Sequence, residues 1–273
     1  MYFQNPDFAI LKQKKLFIFD MDGTIYLGGK PFDFAIRYIK KLRENGMRVL
    51  FFTNNASHTT PFYREKLVRL GFEPRDGEIM TSGDVTLEFL KRYRAGKSVY
   101  LVATDELVEE YRAKGVNLLR GDEEKADIVI TSFDTSLTYE KLDNACRFVR
   151  GGAEYLSTHP DYNCPTETGF IPDSGAIAAF VTASTGVVPT YFGKPYRETI
   201  EMIGEATGVA FEEMCLFGDR LYTDIALGKR FGVTAVLVLS GETKEADVEA
   251  AEAADKPDFV FGSLADVERV MFD

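Results

Sequence analysis

The chain has 273 residues, 45% of them hydrophobic, which suffices for a substantial core and for one large or two moderate domains; two is the expectation. A formal net charge of -11 disfavours a nucleic-acid partner, so any phosphate ligand is expected to be small. The two histidines, His58 and His159, and the three cysteines, Cys146, Cys164 and Cys215, form no metal-ligand spacing, and no disulfide framework is implied.

The N-terminal stretch MYFQNPDFAILKQKK lacks the uninterrupted apolar run of a secretion signal, and no window reaches the length of a membrane span. A cytoplasmic protein with no membrane partner is expected. Tyr2–Gln4 resembles a protease-site remnant, and roughly the first ten residues are set aside from fold reasoning. Leu16–Phe19 then reads as a short, fully buried parallel strand that ends at Asp20, with Asp22 two residues on and Gly23 turning the chain away. Open α/β sheets bind ligands beyond the carboxyl ends of their strands, where these two acids would lie, although a solvated Asp/Gly turn has the same composition.

Residues 33–44 carry Phe34, Ile36, Ile39 and Leu42 near helical spacing, and Gly46 is placed to end that helix. Met47–Phe52 reads as a second buried strand, followed by Thr53, Asn54 and Asn55. A hydroxyl and backbone N–H groups leading towards a helix make a cradle for phosphate oxygens, though an ordinary loop looks similar. A helix over 61–70 should follow. Strands at 98–102, 127–131 and 154–157, alternating with helices near 106–113 and 139–149, then predict a second α/β layer structure with edges near Ser82 and Pro189. Residues 157–175, STHPDYNCPTETGFIPDSG, read as a long polar loop before a small-residue helix at 176–183. Loops of that length are commonly functional.

Phe192-Gly193-Lys194-Pro195 marks a turn before a helix; its lysine reads either as surface charge or as the cation that clustered carboxylates and a phosphate dianion require. Met214–Phe217 is a further apolar strand, running into Gly218-Asp219-Arg220-Leu221-Tyr222-Thr223-Asp224. Asp219 suits either a helix N-cap or an oxygen ligand of Mg²⁺. Residues 234–239, 244–254, 259–261 and 264–272 complete the β/α pattern.

Four strings, DMDGTIY from Asp20, TNN from Thr53, GKP from Gly193 and GDRLYTD from Gly218, occur in an order that resembles motifs I to IV of the haloacid dehalogenase superfamily. The resemblance is to its subfamily IIA, the NagD-like and 4-nitrophenylphosphatase-like sugar phosphatases, and it spans Phe17 to Asp224. It implies an α/β fold: a Rossmann-like parallel-sheet core over 1–81 and 190–273 and an inserted C2-type α/β cap over 82–189 that sets specificity. It makes Asp20 the nucleophile and Asp22 the general acid and base. Thr53, Asn54 and Asn55 would hold the phosphoryl group, and Lys194 would neutralise it. Mg²⁺ would be held by Asp20, Asp22 through its carbonyl, and Asp219, with Asp224 acting through water or by orienting its neighbours.

His159, Asp161 and Asn163 are the candidates to contact the leaving group. The family usually has Asn where this chain has His159, and a PGxG-like turn where it has Asp173-Ser174-Gly175. Those departures bear on the substrate rather than on the chemistry. The expected function is therefore Mg²⁺-dependent hydrolysis of small phosphate esters such as sugar phosphates, through an aspartyl-phosphate. A phosphotransferase and a non-catalytic phosphate-binding regulatory module remain as alternatives, and a homodimer is compatible with the sequence. The intact Asp22 speaks against the non-catalytic module, because binding alone needs no proton shuttle.

Overall fold

The computed structural model describes residues 7–166 and 168–272, so the Tyr2–Gln4 string lies outside the described residues. The chain divides into two compact units: Met1–Thr53 with Arg64–Met80 and Ile203–Asp273, and Asn54–Tyr63 with Thr81–Met202.

A short helix, Ala9–Lys12 (α1), precedes the strand Leu16–Asp20 (β1). Leu16 to Phe19 are all buried, which is why this strand reads as a continuous apolar run: both of its faces are covered. Tyr26–Leu27 (β2) and Lys30–Pro31 (β3) form a small antiparallel hairpin. The helix Asp33–Glu44 (α2) buries Ala35, Tyr38, Ile39 and Leu42, one stripe at helical period. Asp33 in its first turn and Lys41 and Arg43 in its last complement the helix dipole. Gly46, at φ +75°, lets the chain turn back into the strand Arg48–Thr53 (β4). The helix Thr60–Arg69 (α3) and the strand Ile79–Thr81 (β5) follow.

In the second unit the helix Ser82–Tyr93 (α4) starts at a capping box: Thr81 Oγ1 accepts from Asp84 N at 3.1 Å, and Asp84 Oδ2 accepts from Thr81 N at 2.8 Å. Then come Ser98–Val102 (β6), Asp105–Ala113 (α5), Asn117–Leu118 (β7), Ile128–Thr131 (β8), Tyr139–Arg150 (α6) and Glu154–Ser157 (β9). Residues 157–175 contain an element that polarity conceals: Asn163–Thr166 (β10) pairs antiparallel with Gly169–Pro172 (β11), and the described residues of this hairpin are mostly exposed. The helix Ser174–Thr185 (α7) begins two residues earlier than its small-residue run suggests, because Asp173 caps it. Thr190–Tyr191 (β12) completes a parallel sheet of order β12-β9-β8-β6-β7, packed on a core that includes Val102, Val129, Phe148, Val149, Tyr155 and Val181.

After the helix Arg197–Thr207 (α8), Met214–Gly218 (β13) leads into a π-helical turn, Leu221–Ile225, and the helix Ala226–Phe231 (α9). Thr234–Val238 (β14), Glu245–Ala250 (α10), Phe259–Phe261 (β15) and Leu264–Phe272 (α11) finish the first unit. The helix expected over 244–254 stops at Ala250, where Ala251 turns extended (φ -64°, ψ 144°). The sheet order is β15-β14-β13-β1-β4-β5, with β1 central and parallel to both neighbours. Phe217 stacks on Phe19 at 4.9 Å and on Phe17 at 6.0 Å, so aromatic packing reinforces the β1–β13 pairing. Among the described residues no helix is long and apolar enough to cross a membrane.

Candidate active site

In the first unit the pairing of Phe19 with Phe217 sets the ends of β1 and β13 side by side. Asp20 is the last residue of β1, and Asp219 is the first beyond β13. Asp224 comes from the π-helical turn that follows. Carboxylate oxygens of these three residues lie within 4.8 Å of one another. Asp219 and Asp224 are buried, and Asp20 is half-buried.

Glycines leave room for the Asp219 carboxylate. A Cβ built on Gly23 would come within 2.6 Å of Asp219 Cγ, and one on Gly241 within 2.5 Å. Gly23 also has φ +84°, which a side chain would strain. Asp219 Oδ2 accepts from Glu242 N at 2.7 Å, and Asp224 Oδ2 accepts from Arg220 N at 3.2 Å. Arg220 forms an ion pair with Glu242 at 2.9 Å. Burial works to lower the Arg220 pKa, but the charges of Asp20, Tyr222, Asp219 and Glu242 outweigh it and hold the guanidinium above its ordinary value.

Like charges 4.8 Å apart repel by roughly 3 kcal/mol per pair at an effective dielectric of about 20. Hard oxygen donors in that state fit a divalent cation, so Asp20, Asp219 and Asp224 could hold one. The Asp22 carboxylate is not part of this trio; its side chain is exposed, and Gly23 N donates to Tyr26 O at 2.7 Å to close the turn behind it.

Thr53, half-buried, ends β4. The next residue, Asn54, begins the second unit and organises much of its polar interior. Its Nδ2 donates to Asp161 Oδ2 at 3.0 Å and to the Lys194 carbonyl at 2.9 Å, while its Oδ1 accepts from Lys194 N at 2.8 Å. Lys194 itself is only 2% exposed. Asn55 Oδ1 accepts from Ser57 N at 3.0 Å and Ser57 Oγ at 2.6 Å, the arrangement of an Asx turn.

Asn163 is exposed on β10. At His159 the structure differs from the expectation of a leaving-group contact. The ring has no exposed surface, and its partners are internal: Nε2 is 2.7 Å from Asp173 Oδ1, and Nδ1 is 3.0 Å from Thr158 Oγ1 and 3.2 Å from Ser82 Oγ. His159, Asp161 and Asp173 thus also converge, but as a cluster whose histidine and one carboxylate are already in contact.

Sequence reasoning passed over Arg220, Glu242, Ser82 and Asp173 as site residues. Arg220 lies inside the GDRLYTD string and could have been found there. Ser82 lies 77 residues from His159, and nothing in the sequence joins them.

Parallel strands whose carboxyl ends gather acids define a class of α/β hydrolases, and comparison with known proteins agrees. A model of haloacid dehalogenase-like hydrolases matches residues 17–117, and a second, HAD-hydrolase-like model matches residues 191–267. An acid sugar phosphatase of Staphylococcus aureus is 35% identical over 88% of this chain and 92% of its own length. The crystal structure of a 4-nitrophenylphosphatase from Thermotoga maritima is 40% identical, with a TM-score of 0.89 over 96% of this chain and 99% of that one. A glycerol phosphate phosphatase from Mycobacterium tuberculosis, solved in complex with calcium, is 28% identical, with a TM-score of 0.86 over 94% of this chain and 75% of that one. The chain belongs to the haloacid dehalogenase-like hydrolase family, in its NagD-like phosphatase branch.

Proposed function

We propose that this chain is a Mg²⁺-dependent phosphomonoesterase acting in the cytoplasm on small organic phosphates, and that it works through a phosphoryl group carried on Asp20. The observation that carries the reading is the convergence of Asp20, Asp219 and Asp224 at the ends of adjacent parallel strands in a hydrolase family. An Asp20 carboxylate oxygen attacks phosphorus in line, and the bond to the ester oxygen breaks with its electron pair. Asp22 gives that oxygen a proton, then takes one from the water that attacks the aspartyl-phosphate and returns Asp20 to a carboxylate.

Thr53 and the backbone of Asn54 and Asn55 hold phosphoryl oxygens, and Lys194 offsets their charge. Asp20, the Asp22 carbonyl and Asp219 would hold Mg²⁺, with Asp224 orienting them; bound there, the ion supplies positive charge to the transferring group. The calcium complex of the mycobacterial relative supports a divalent cation. Residues 82–189 are proposed as the cap that sets specificity, with Asp161 and Asn163 its polar contacts. The sugar phosphatase and nitrophenylphosphatase relatives make sugar and aryl phosphates the first substrates to test.

The decisive experiment uses p-nitrophenyl phosphate, whose leaving group needs no proton. Asp22→Asn should release about one equivalent of nitrophenol per site in a burst and then stall, with steady-state turnover down about 10²- to 10⁴-fold. Asp20→Asn should give no burst. Undiminished turnover of a sugar phosphate by Asp22→Asn, or a burst from Asp20→Asn, would sink the mechanism.

A further inference from the structure

We infer that His159 is a buried imidazolium and a positioning residue for phosphate binding: it fixes Ser82 against Asn54, and through Asn54 the backbone of Lys194. The inference rests on the reading of Asn54 and Lys194 as phosphate-holding residues.

A serine hydroxyl has one hydrogen to give. That of Ser82 goes to the Asn54 carbonyl, 2.5 Å from Oγ. The contact between Ser82 Oγ and His159 Nδ1 at 3.2 Å therefore needs the hydrogen to sit on Nδ1. Thr158 leads to the same result. Its hydroxyl donates to Ser132 Oγ at 3.1 Å, so the oxygen presents a lone pair to Nδ1 at 3.0 Å. On the other side of the ring, Nε2 faces Asp173 Oδ1 at 2.7 Å, an oxygen that also accepts from Ser174 N at 2.6 Å. An ionised carboxylate only accepts. Both ring nitrogens thus carry hydrogen, and the ring is a cation.

The surroundings agree. Burial disfavours the charged ring, but Asp173, by its charge and its hydrogen bond, and then Asp161 outweigh that and raise the pKa above the ordinary histidine value. Asp161 lies on the ring's own loop, and Asp173 caps α7 beyond the β10–β11 hairpin. The segment packed against it brings Gly193 and then the charged Lys194, while α4 brings the uncharged Ser82.

The approach is close: a Cβ on Gly193, which has φ +76°, would lie 2.7 Å from His159 Cβ and 2.9 Å from Asn54 Oδ1. Deprotonation of Nδ1 would set its lone pair against those of Ser82 and Thr158 and loosen the hold on Asn54. A group with a raised folded-state pKa gives its contribution in full below its unfolded value and loses it as pH rises through the folded one. Phosphate binding should therefore weaken towards alkaline pH.

The test reads protonation and binding separately. The chain has two histidines, so ¹⁵N-histidine NMR of the whole protein resolves both rings, and His58→Gln assigns them. At about pH 7.5, above the ordinary histidine value, His159 should show two ring N–H signals, and the titration is then carried towards alkaline pH. Over the interval in which one of them disappears, the Kd for inorganic phosphate should rise about fivefold, the scale of one lost hydrogen bond. His159→Asn, which cannot titrate, should bind phosphate with a Kd that is flat over the same interval.

A single ring N–H at pH 7.5 overturns the imidazolium. Two that disappear while phosphate affinity stays constant overturn the positioning role, and the wild-type titration decides both even if the variant does not fold. Absence of turnover would count against the phosphatase reading alone, since neither measurement uses it.

Discussion

The two units each gather three ionisable side chains, one trio beyond β1 and β13 and the other between β9 and the cap of α7, yet they balance charge in opposite ways. In the first, Asp20, Asp219 and Asp224 crowd within 4.8 Å, and Arg220 is shared with Glu242. In the second, two acids of similar spacing enclose His159, and Asp173 pairs with it at 2.7 Å. Carboxylates beside a resident cation are balanced within the protein, whereas carboxylates in excess can take a cation from solution. The same residue type thus closes a pair inside the protein in one case and, on the proposed function, serves the chemistry in the other.

Asparagine substitutions should separate the two cases. The largest effect is expected in turnover of p-nitrophenyl phosphate, where Asp219→Asn should lower kcat by at least about 10³-fold and raise the Mg²⁺ concentration needed for half activity. Full activity of this variant in chelator would dissolve the distinction. Asp173→Asn should cost about 3–5 kcal/mol in urea unfolding, because it strands a buried cation. That loss should shrink as pH rises through the folded pKa of His159, since wild type then gives up the same interaction.

A smaller effect is expected at Gly241, where the alanine methyl would displace the Asp219 carboxylate. Gly241→Ala should weaken Mg²⁺ binding about 10- to 100-fold by calorimetry with little change in secondary structure. The smallest is a gain: in chelator, Asp219→Asn should be more stable than wild type by about 1 kcal/mol, as one of three mutually repelling charges is removed. Equal destabilisation by Asp173→Asn and Asp219→Asn would mean that both trios are structural.

The central strands were legible because they are buried on both faces, so Leu16–Phe19 and Met214–Phe217 appear as unbroken apolar runs. The amphipathic α2 was legible for the complementary reason, a single buried stripe. The hairpin of β10 and β11 was not, since its strands bury little and carry no apolar alternation to reveal their period. Asp20, Asp219 and Asp224, whose carboxylates converge, could be picked out because each lies at or just beyond a strand end in a recognisable string. The surroundings of His159 could not. They depend on Ser82 and Asp173, 77 and 14 residues away, and on hydroxyl directions that only the packed interior fixes.

The position of β1 in the middle of its sheet has a consequence for biosynthesis. One neighbour, β4, is made soon afterwards, but the other, β13, lies almost 200 residues downstream, as the 199-residue separation between Leu16 and Cys215 shows. At about 5–20 residues per second, roughly 10–40 s pass between the two strands on the ribosome. All five strands of the second unit's sheet, from Ser98 to Tyr191, are completed within that interval. The inserted unit thus has its full set of strands while the apolar edge of β1 still waits for its partner, and in that window the nascent chain is most exposed to aggregation.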